Sequence, residues 1–437
     1  MKKLVVAVIL IVASLFVAPK FIGSVVEQER EKVLIDINKV DGISLTTNKF
    51  TSGWFGADVT SEVIINLEEE GLADITLTLE ETFSFGPVII TAQGWHLGLG
   101  YSEMTFKLLS AEVDEDLSKL IHEKLHLGAL LSFNNDVTAF IKTDELSYEN
   151  EGDSIVSAPS KTQFTFINNQ HIKGNFSWGG LEINGTEERL VIGKVTMSTE
   201  QEVVSGDYLE GTAILIGDAS FEVKKVEVYS QSSPVFSLND AGLTSVVSLN
   251  NDLLALDLKY HAKDILASGQ NFQKPNMEIM LTNIDMHALQ ELNTTMSDFS
   301  SSYSAQSNST GNVNDNSEEI LKALSVIANK ILAKDPNLKV SDLSVVTEEG
   351  KIESEFNFTV NKDLFDLTNP NTMALVVALE ADAKGKVPMG FLAKFGVAAF
   401  AENFVEQGYL SKQEDKIIFD AKYVQSQLTL NGKAFQL

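Results

Sequence analysis

The segment His122-Glu123-Lys124-Leu125-His126 fits the H-E-x-x-H pattern with which zinc peptidases bind a metal ion and activate a water molecule. This chemistry needs both imidazoles one helical turn apart, a glutamate beside them and a further ligand from another part of the chain. A zinc site at this segment therefore requires an α-helix that runs through residues 122 to 126.

The residues that follow favour a strand. From Leu125 to Phe133 the odd positions carry Leu, Leu, Ala, Leu and Phe, which is the period of a strand, and Gly128 weakens any helix. In an extended backbone His122 and His126 are about 13 Å apart at ~3.3 Å per residue, so one metal ion cannot bind both. The sequence thus predicts no catalytic residue, no metal and no cofactor. The alternative is a zinc-dependent hydrolase that uses His122, Glu123 and His126.

Other side chains that could act in catalysis or binding lack a supporting sequence pattern. There is no G-x-S-x-G segment, no P-loop and no G-x-G-x-x-G after a strand. The isolated histidines are predicted to be structural or surface residues. We also expect the aromatic residues of the first strands to fill a core, with a binding site as the alternative. These residues are His96, His171, His261 and His287, and Trp54, Phe55 and Trp95.

The composition restricts the classes of partner. The chain has 437 residues, of which 44% are hydrophobic, so it can bury a sizeable core. Its 61 acidic and 33 basic residues give a formal charge of −28, which repels phosphate backbones and excludes nucleic acid as a partner. Since there is no cysteine, disulfides, thiolate metal sites and cysteine nucleophiles are excluded as well.

The first 26 residues resemble a membrane anchor. Lys2 and Lys3 precede an uncharged apolar run at residues 4–18, and apolar residues resume after Lys20, giving ~20 residues, enough to cross a bilayer as a helix. Sites for a signal peptidase are poor, although a cleaved signal peptide is the alternative. By the positive-inside rule, residues 1–26 are predicted to be a single transmembrane signal anchor, with the body outside the bacterial inner membrane.

Strand patterns dominate the rest of the chain. Apolar residues alternate with polar ones at 59–67, 75–79, 164–166 and 221–228, and turn sequences such as Asn250-Asn251-Asp252 separate the runs. Residues 340–360 are predicted to form a hairpin and residues 373–382 a further strand. This spacing predicts a β-rich α+β fold, in which a large, mainly antiparallel, curved sheet carries a few helices after one N-terminal transmembrane helix.

Helical patterns are few. They cover residues 114–121, 287–296 and 316–331, and a fourth helix is predicted from Pro388 to a C-terminal Gly408 that packs on the sheet. The polar stretch at 300–317 is predicted to be a flexible linker or loop.

These patterns predict four regions along the chain. They are an anchor at 1–26, a β-rich region at 27–299, a low-complexity linker or loop at 300–317, and a helix with C-terminal strands at 318–437.

Three segments resemble the YdgA-like family of bacterial envelope proteins. They are TSGWFGADVTSEVIINL at 51–67, TFSFGPVII at 82–90 and KIIFDAKYVQSQLTLNGKAF at 416–435. Gly86-Pro87 matches a turn of that family, although Phe85 stands where a histidine is common. The ending at 428–432 matches as well.

The resemblance implies a Gram-negative inner-membrane protein with a β-rich periplasmic body and no assigned chemistry. It also implies that residues 117–134 form a short helix that runs into a strand. No catalytic residue is carried over, because the family offers none.

The leading hypothesis is therefore a non-enzymatic, membrane-anchored envelope protein. It would act as a scaffold that contacts envelope proteins, or bind an apolar, lipid-like ligand in a groove of the sheet, because mean hydropathy is slightly positive in so acidic a chain. The alternatives are the zinc hydrolase and a purely structural protein that forms homo-oligomers.

Overall fold

The computed structural model describes residues 42–435 apart from 67–73, 92–93, 109–114, 151, 169, 209–210, 308–316 and 365–375, together with isolated positions between 19 and 38. The chain divides into two compact units. Unit 1 comprises Met1–Ile183, Thr196–Glu202 and Tyr208–Glu210, and unit 2 comprises Asn184–Val195, Val203–Asp207 and Gly211–Leu437. The region expected at 27–299 thus contributes to both units, and no shift in composition marks the boundary.

Unit 1 is built mainly of antiparallel strands, with one described helix of regular length. Its elements are β1 Ile43–Ser52, β2 Gly56–Ile65, β3 Ile75–Phe85, β4 Val88–Thr91, β5 Gly94–Leu97, β6 Gly100–Leu108, α1 Glu115–Lys124, β7 Leu125–Leu131, β8 Val137–Thr143, β9 Leu146–Asn150, β10 Asp153–Ser157, β11 Ser160–Ile167, β12 His171–Trp178 and β13 Leu181–Asn184.

The strands of unit 1 pair in the order β1–β2–β3–β6–β7–β8–β11–β12, and β4 and β5 form a separate hairpin. Alternate residues of β2 and β3 point inward, so that Val59, Ala57, Phe83 and Phe85 form a buried cluster. The period-2 patterns at 59–67 and 75–79 therefore predicted these strands correctly over the described residues.

In its described residues, unit 2 is a long antiparallel meander of strands with helices between some of them. Its elements are β14 Glu188–Ile192, β15 Val195–Ser205 (of which 196–202 belong to unit 1), β16 Ile214–Ser230, β17 Ser233–Asn250, β18 Leu253–His261, β19 Asp264–Ala267, β20 Gln270–Asp285, α2 Met286–Ser307, α3 Ser317–Leu332, β21 Asn337–Thr347, β22 Gly350–Val360, β23 Leu379–Pro388, α4 Met389–Lys394, α5 Ala398–Glu406, β24 Ser411–Gln413, β25 Lys416–Val424, β26 Gln427–Leu430 and β27 Lys433–Phe435.

The strands of unit 2 pair in the order β14–β16–β17–β18–β20–β21–β22–β23–β25–β26–β27. Two short strands add further pairings: β19 pairs with β17 and β20, and β24 pairs with β25. Helices α2 and α3 connect β20 to β21, and Met286 packs against Ile214 and Leu254 of the sheet. The expected large antiparallel sheet with few helices is confirmed.

Two local predictions, the linker at 300–317 and the strand at 373–382, differ from the structure. Residues 300–307, expected in the linker, are helical and extend α2, and 308–316 lie outside the described residues. Hydroxyl groups in α2 donate to carbonyls one turn earlier, as Thr294 does to Gln290 at 3.0 Å, which lets a helix accommodate polar residues. The strand expected at 373–382 begins only at Leu379, after a helical turn at 376–378.

The long helix predicted after Pro388 is broken in two. Gly396 has a φ of +73° and its N–H donates to the carbonyl of Ala393, which ends α4 before α5 begins at Ala398. Gly408, with a φ of +77°, follows α5 as predicted. Both helices pack on the sheet through Met389 and Ala401, as the apolar arc indicated.

The predicted anchor at 1–26 lies outside the described residues, apart from Pro19 and Gly23. Within the described part of the chain, no helix combines the length and the apolar character needed to span a bilayer.

Candidate functional site

The H-E-x-x-H segment is divided between a helix and a strand. His122 lies in the last turn of α1, where its Nδ1 is 2.9 Å from the carbonyl oxygen of Phe106. The helix ends at Lys124, and His126 is the second residue of β7, with its Nε2 3.2 Å from a carboxylate oxygen of Asp144. The extended backbone predicted at residue 126 is confirmed. A single helix that aligns both imidazoles is therefore not present.

Asp144 lies in hydrogen-bond contact with both His126 and Lys142 at the surface. The Lys142 ammonium lies 2.9 Å from the same carboxylate, and the hydrogen bonds from Lys142 and then from His126 hold the pKa of Asp144 below its usual value. All three side chains are at least 40% exposed, so these contacts contribute little to stability. Among the described residues, no group of three histidine, aspartate or glutamate side chains could hold a metal ion.

The geometry yields a prediction for zinc. After incubation with zinc and dialysis, we expect the protein to retain well under one zinc ion per chain by atomic emission spectroscopy, because the two histidines contact different partners. The variant His126→Ala should retain the same amount. One zinc ion per chain in the wild type, lost in His126→Ala, would contradict this placement of the histidines.

His96 is part of the packing of unit 1. Its ring stacks on Tyr101 with ring centroids 4.7 Å apart, and Tyr101 is almost completely buried. Burial, together with the nearby Glu103 carboxylate, raises the pKa of Tyr101 above its usual value. A cavity of about 430 Å³ adjoins this stack and has a mixed lining that includes Lys142 and Lys161. Since His96 fixes the β4–β5 hairpin on β6, its predicted structural role agrees with the structure.

Unit 2 contains a larger and chemically simpler groove. Six neighbouring strands, β16, β17, β18, β20, β21 and β22, place directly paired residues in one row across the sheet. Paired residues of adjacent strands point to the same face, so their side chains form a continuous surface. The row consists of Phe221, Leu243, Tyr260, Met277, Leu343 and Ser354.

The groove along this row has a volume of about 600 Å³, within the range of small-molecule sites. Val223 and Ala241 lie beside the row, and almost all of the atoms that line the groove are apolar. The amide of Asn276, one of the few polar groups there, donates to Asp342 at 2.8 Å. Phe221, Tyr260 and Leu343 are 38–47% exposed, so large apolar side chains face solvent.

Irregularities in the strands shape the groove. The register of β20 with β21 shifts between Gln273 and Asn276, and that of β21 with β22 shifts between Val340 and Leu343. Such bulges increase the local twist and bend a strand. Gly242 allows His261 to lie close to the sheet, since a Cβ on Gly242 would be 2.5 Å from Cε1 of that ring. The groove therefore lies where the regular pairing of these strands is interrupted and where His261 packs closely on Gly242.

Comparison with known proteins gives a family. Residues 1–437 match the model of a family described as a bacterial protein of unknown function (DUF945). The chain belongs to this DUF945 family. No curated protein and no solved structure matches it. The match agrees with the bacterial origin expected from the sequence and assigns no chemistry.

In this DUF945 chain, the groove contains one of the isolated histidines, His261, which the sequence predicted to be a structural or surface residue. Of the other lining residues, only those at 221–228 and 340–360 lie in segments predicted as strands. One signal was available: strands predicted at 221–228 and 340–360 carry Phe221 and Leu343 among polar neighbours, but no sequence pattern tells which strands become neighbours. The groove therefore offers a binding surface, whereas the two histidines of the H-E-x-x-H segment contact different partners.

Proposed function

We propose that this DUF945 protein is a non-enzymatic binding protein that holds the acyl chain of a lipid-like molecule in the groove of unit 2. The observation that carries the proposal is a groove of about 600 Å³ lined almost entirely by apolar atoms on an exposed sheet face. Such a surface has little to offer a polar substrate, because it presents few hydrogen-bonding groups. Covering this surface with an apolar ligand is favourable, because apolar area is removed from water.

The direction of the groove supports an elongated ligand. The row from Phe221 to Ser354 crosses six strands, and five intervals of ~4.8 Å give a length of about 24 Å. An acyl chain is long, narrow and apolar, so it fits a row of side chains better than a compact ring system does. If about ten methylene groups are buried at ~0.8 kcal/mol each, the gross gain is about 8 kcal/mol, part of which offsets the freedom that the ligand loses on binding.

The cellular setting of this proposal comes from the sequence. The apolar residues at 4–18 support an anchor in the bacterial inner membrane, and the segments at 51–67, 82–90 and 416–435 support a place in the YdgA-like family with a periplasmic body. A protein held at a membrane meets lipids at high local concentration. We therefore propose lipids of the envelope as the ligand class.

A test uses the full chain purified in mild detergent. We expect native mass spectrometry to detect one bound lipid per chain that is released as the collision energy rises. After delipidation, the uncharged dye N-phenyl-1-naphthylamine should bind saturably, and a long-chain lysophospholipid should displace it. A protein that carries no lipid and shows no saturable dye binding would contradict the proposal. A stable homo-oligomer in that sample would favour the structural alternative.

A further inference from the structure

One face of the β4–β5 hairpin in unit 1 is apolar and exposed to solvent. Val88, Ile90, Trp95 and Leu97 are 48–81% exposed, and Ile90 and Trp95 are directly paired. The opposite face is packed, since Ile89 is completely buried and His96 stacks on Tyr101. The hairpin thus presents one apolar face outward while its other face holds it to the sheet.

The turn between β1 and β2 adds two aromatic side chains at the same end of the sheet. Trp54 and Phe55 are each 52% exposed, and the carbonyl of Phe55 accepts a hydrogen bond of 2.8 Å from the N–H of Phe85, just before the hairpin. The expectation that these aromatic residues fill a core is therefore wrong. We name the six residues Trp54, Phe55, Val88, Ile90, Trp95 and Leu97 the apolar tip.

The apolar tip is free of charge in a strongly acidic chain. Residues 83–102 contain no lysine, arginine, aspartate or glutamate, and neither do residues 51–57, although 22% of the whole chain is charged. Exposed tryptophan together with aliphatic residues is the composition of side chains that enter the interface of a bilayer. The face of the hairpin offers a protein partner no charged group and, apart from the indole N–H of Trp95, no side-chain hydrogen-bonding group.

The N-terminal part of the chain runs towards the same end of unit 1. Arg30 is paired with Glu81 in β3 at 2.6 Å, whereas Gly23 lies against Phe85 at the end of that strand. A Cβ on Gly23 would be only 2.7 Å from the ring of Phe85. Gly23 therefore lies nearer to the end of β3 that carries the apolar tip than Arg30 does. The uncharged apolar run at 4–18 precedes it in sequence.

We propose that the apolar tip inserts into the interface of a lipid bilayer, the one in which the proposed function places the N-terminal segment. The proposal rests on that part of the proposed function, on the exposed hairpin face, its lack of charge and the positions of Arg30 and Gly23, and it does not depend on the groove of unit 2. Because the chain has a charge of −28, insertion is apolar in character and favours zwitterionic lipids. The tip then holds unit 1 against the membrane at a second point.

Tryptophan fluorescence tests the proposal directly, because Trp54 and Trp95 belong to the tip and Trp178 does not. The full chain is reconstituted into phosphatidylcholine vesicles with or without lipids brominated near the headgroup. In Trp178→Phe, we expect brominated lipid to lower the emission at least twofold. In the double variant Trp54→Phe/Trp95→Phe, which keeps only Trp178, emission should change by less than a tenth.

A charge in the tip provides the matched comparison. In the Trp178→Phe background, Ile90→Asp should reduce the quenching by brominated lipid at least twofold, because a carboxylate opposes insertion. The control Val156→Asp changes an exposed apolar residue of β10 outside the tip and should leave the quenching unchanged. Unquenched tip tryptophans in vesicles that contain the protein would overturn the proposal, as would formation of a dimer that Ile90→Asp dissociates.

Discussion

Replacing Glu81 with glutamine is expected to lower the free energy of unfolding of unit 1 by about 3 kcal/mol. Glu81 in β3 is 8% exposed, and its carboxylate accepts hydrogen bonds of 2.9 and 2.6 Å from Nε and Nη2 of Arg30. The guanidinium also donates to Thr47 and to the fully buried Ser61. The substitution leaves a cation in this enclosed position without its counter-charge, which costs much more than the loss of a surface pair.

The neighbouring residue supplies a matched control. Glu80 points to the other face of β3 and pairs with Lys107 at 2.9 Å, but both side chains are about half exposed. Glu80→Gln removes the same charge from the same strand and should cost less than about 1 kcal/mol. The comparison therefore separates the buried ion pair from the general effect of one carboxylate fewer.

Thermal unfolding followed by tryptophan emission measures this difference in unit 1, because Trp54, Trp95 and Trp178 all lie there. At about 2–4 °C per kcal/mol, Glu81→Gln should lower the midpoint by about 6–12 °C. The double variant Arg30→Met/Glu81→Gln should recover part of the loss, since it no longer buries an unpaired charge. Equal midpoints for Glu81→Gln and Glu80→Gln would show that Arg30 does not occupy this position.

The ion pair also bears on the apolar tip. Arg30 fixes the N-terminal part of the chain beside β3, and Gly23 follows it to Phe85 near the hairpin. If the pair is broken, the N-terminal part of the chain is held less closely to β3, and the proposed insertion of the tip into a bilayer loses part of its positioning. We therefore expect Glu81→Gln to reduce the quenching of the tip tryptophans by brominated lipid.

Sequence patterns predicted the strands well because each strand buries alternate residues of its own segment. The hairpin expected at 340–360 appears as β21 and β22, and the helix expected at 316–331 appears as α3. Irregular positions could not be predicted with the same rule. Gly396 lies within an apolar arc that continues on both sides, so the period gave no indication that its positive φ ends α4.

The sites were harder to predict because they depend on neighbours that are distant in sequence. Phe221 and Ser354 belong to one row only because six strands pair in a particular register. Pro275 marks the irregularity between Gln273 and Asn276, but the one between Val340 and Leu343 contains no glycine or proline. Conversely, the H-E-x-x-H letters are local, so the alternation after His126 was enough to predict an extended backbone.

Changing the groove is expected to have the largest effect on ligand binding. Leu343→Asp places a carboxylate in the row, and an apolar ligand would have to desolvate it, so we expect binding of N-phenyl-1-naphthylamine to weaken about 30-fold, or about 2 kcal/mol. Ala241→Phe adds volume to the lining and should weaken binding by a similar factor. Dye fluorescence titration of the delipidated full chain measures both changes.

A residue of the same exposure elsewhere on the sheet decides between a groove and a general apolar surface. Met280 of β20 is 41% exposed, compared with 47% for Leu343, but it does not line the groove. Met280→Asp should therefore leave dye affinity within about twofold of the wild type. Circular dichroism verifies that the variants are folded, because no tryptophan lies in unit 2. If Leu343→Asp and Ala241→Phe fold and bind as tightly as Met280→Asp, the ligand lies outside the groove and the proposed function is wrong.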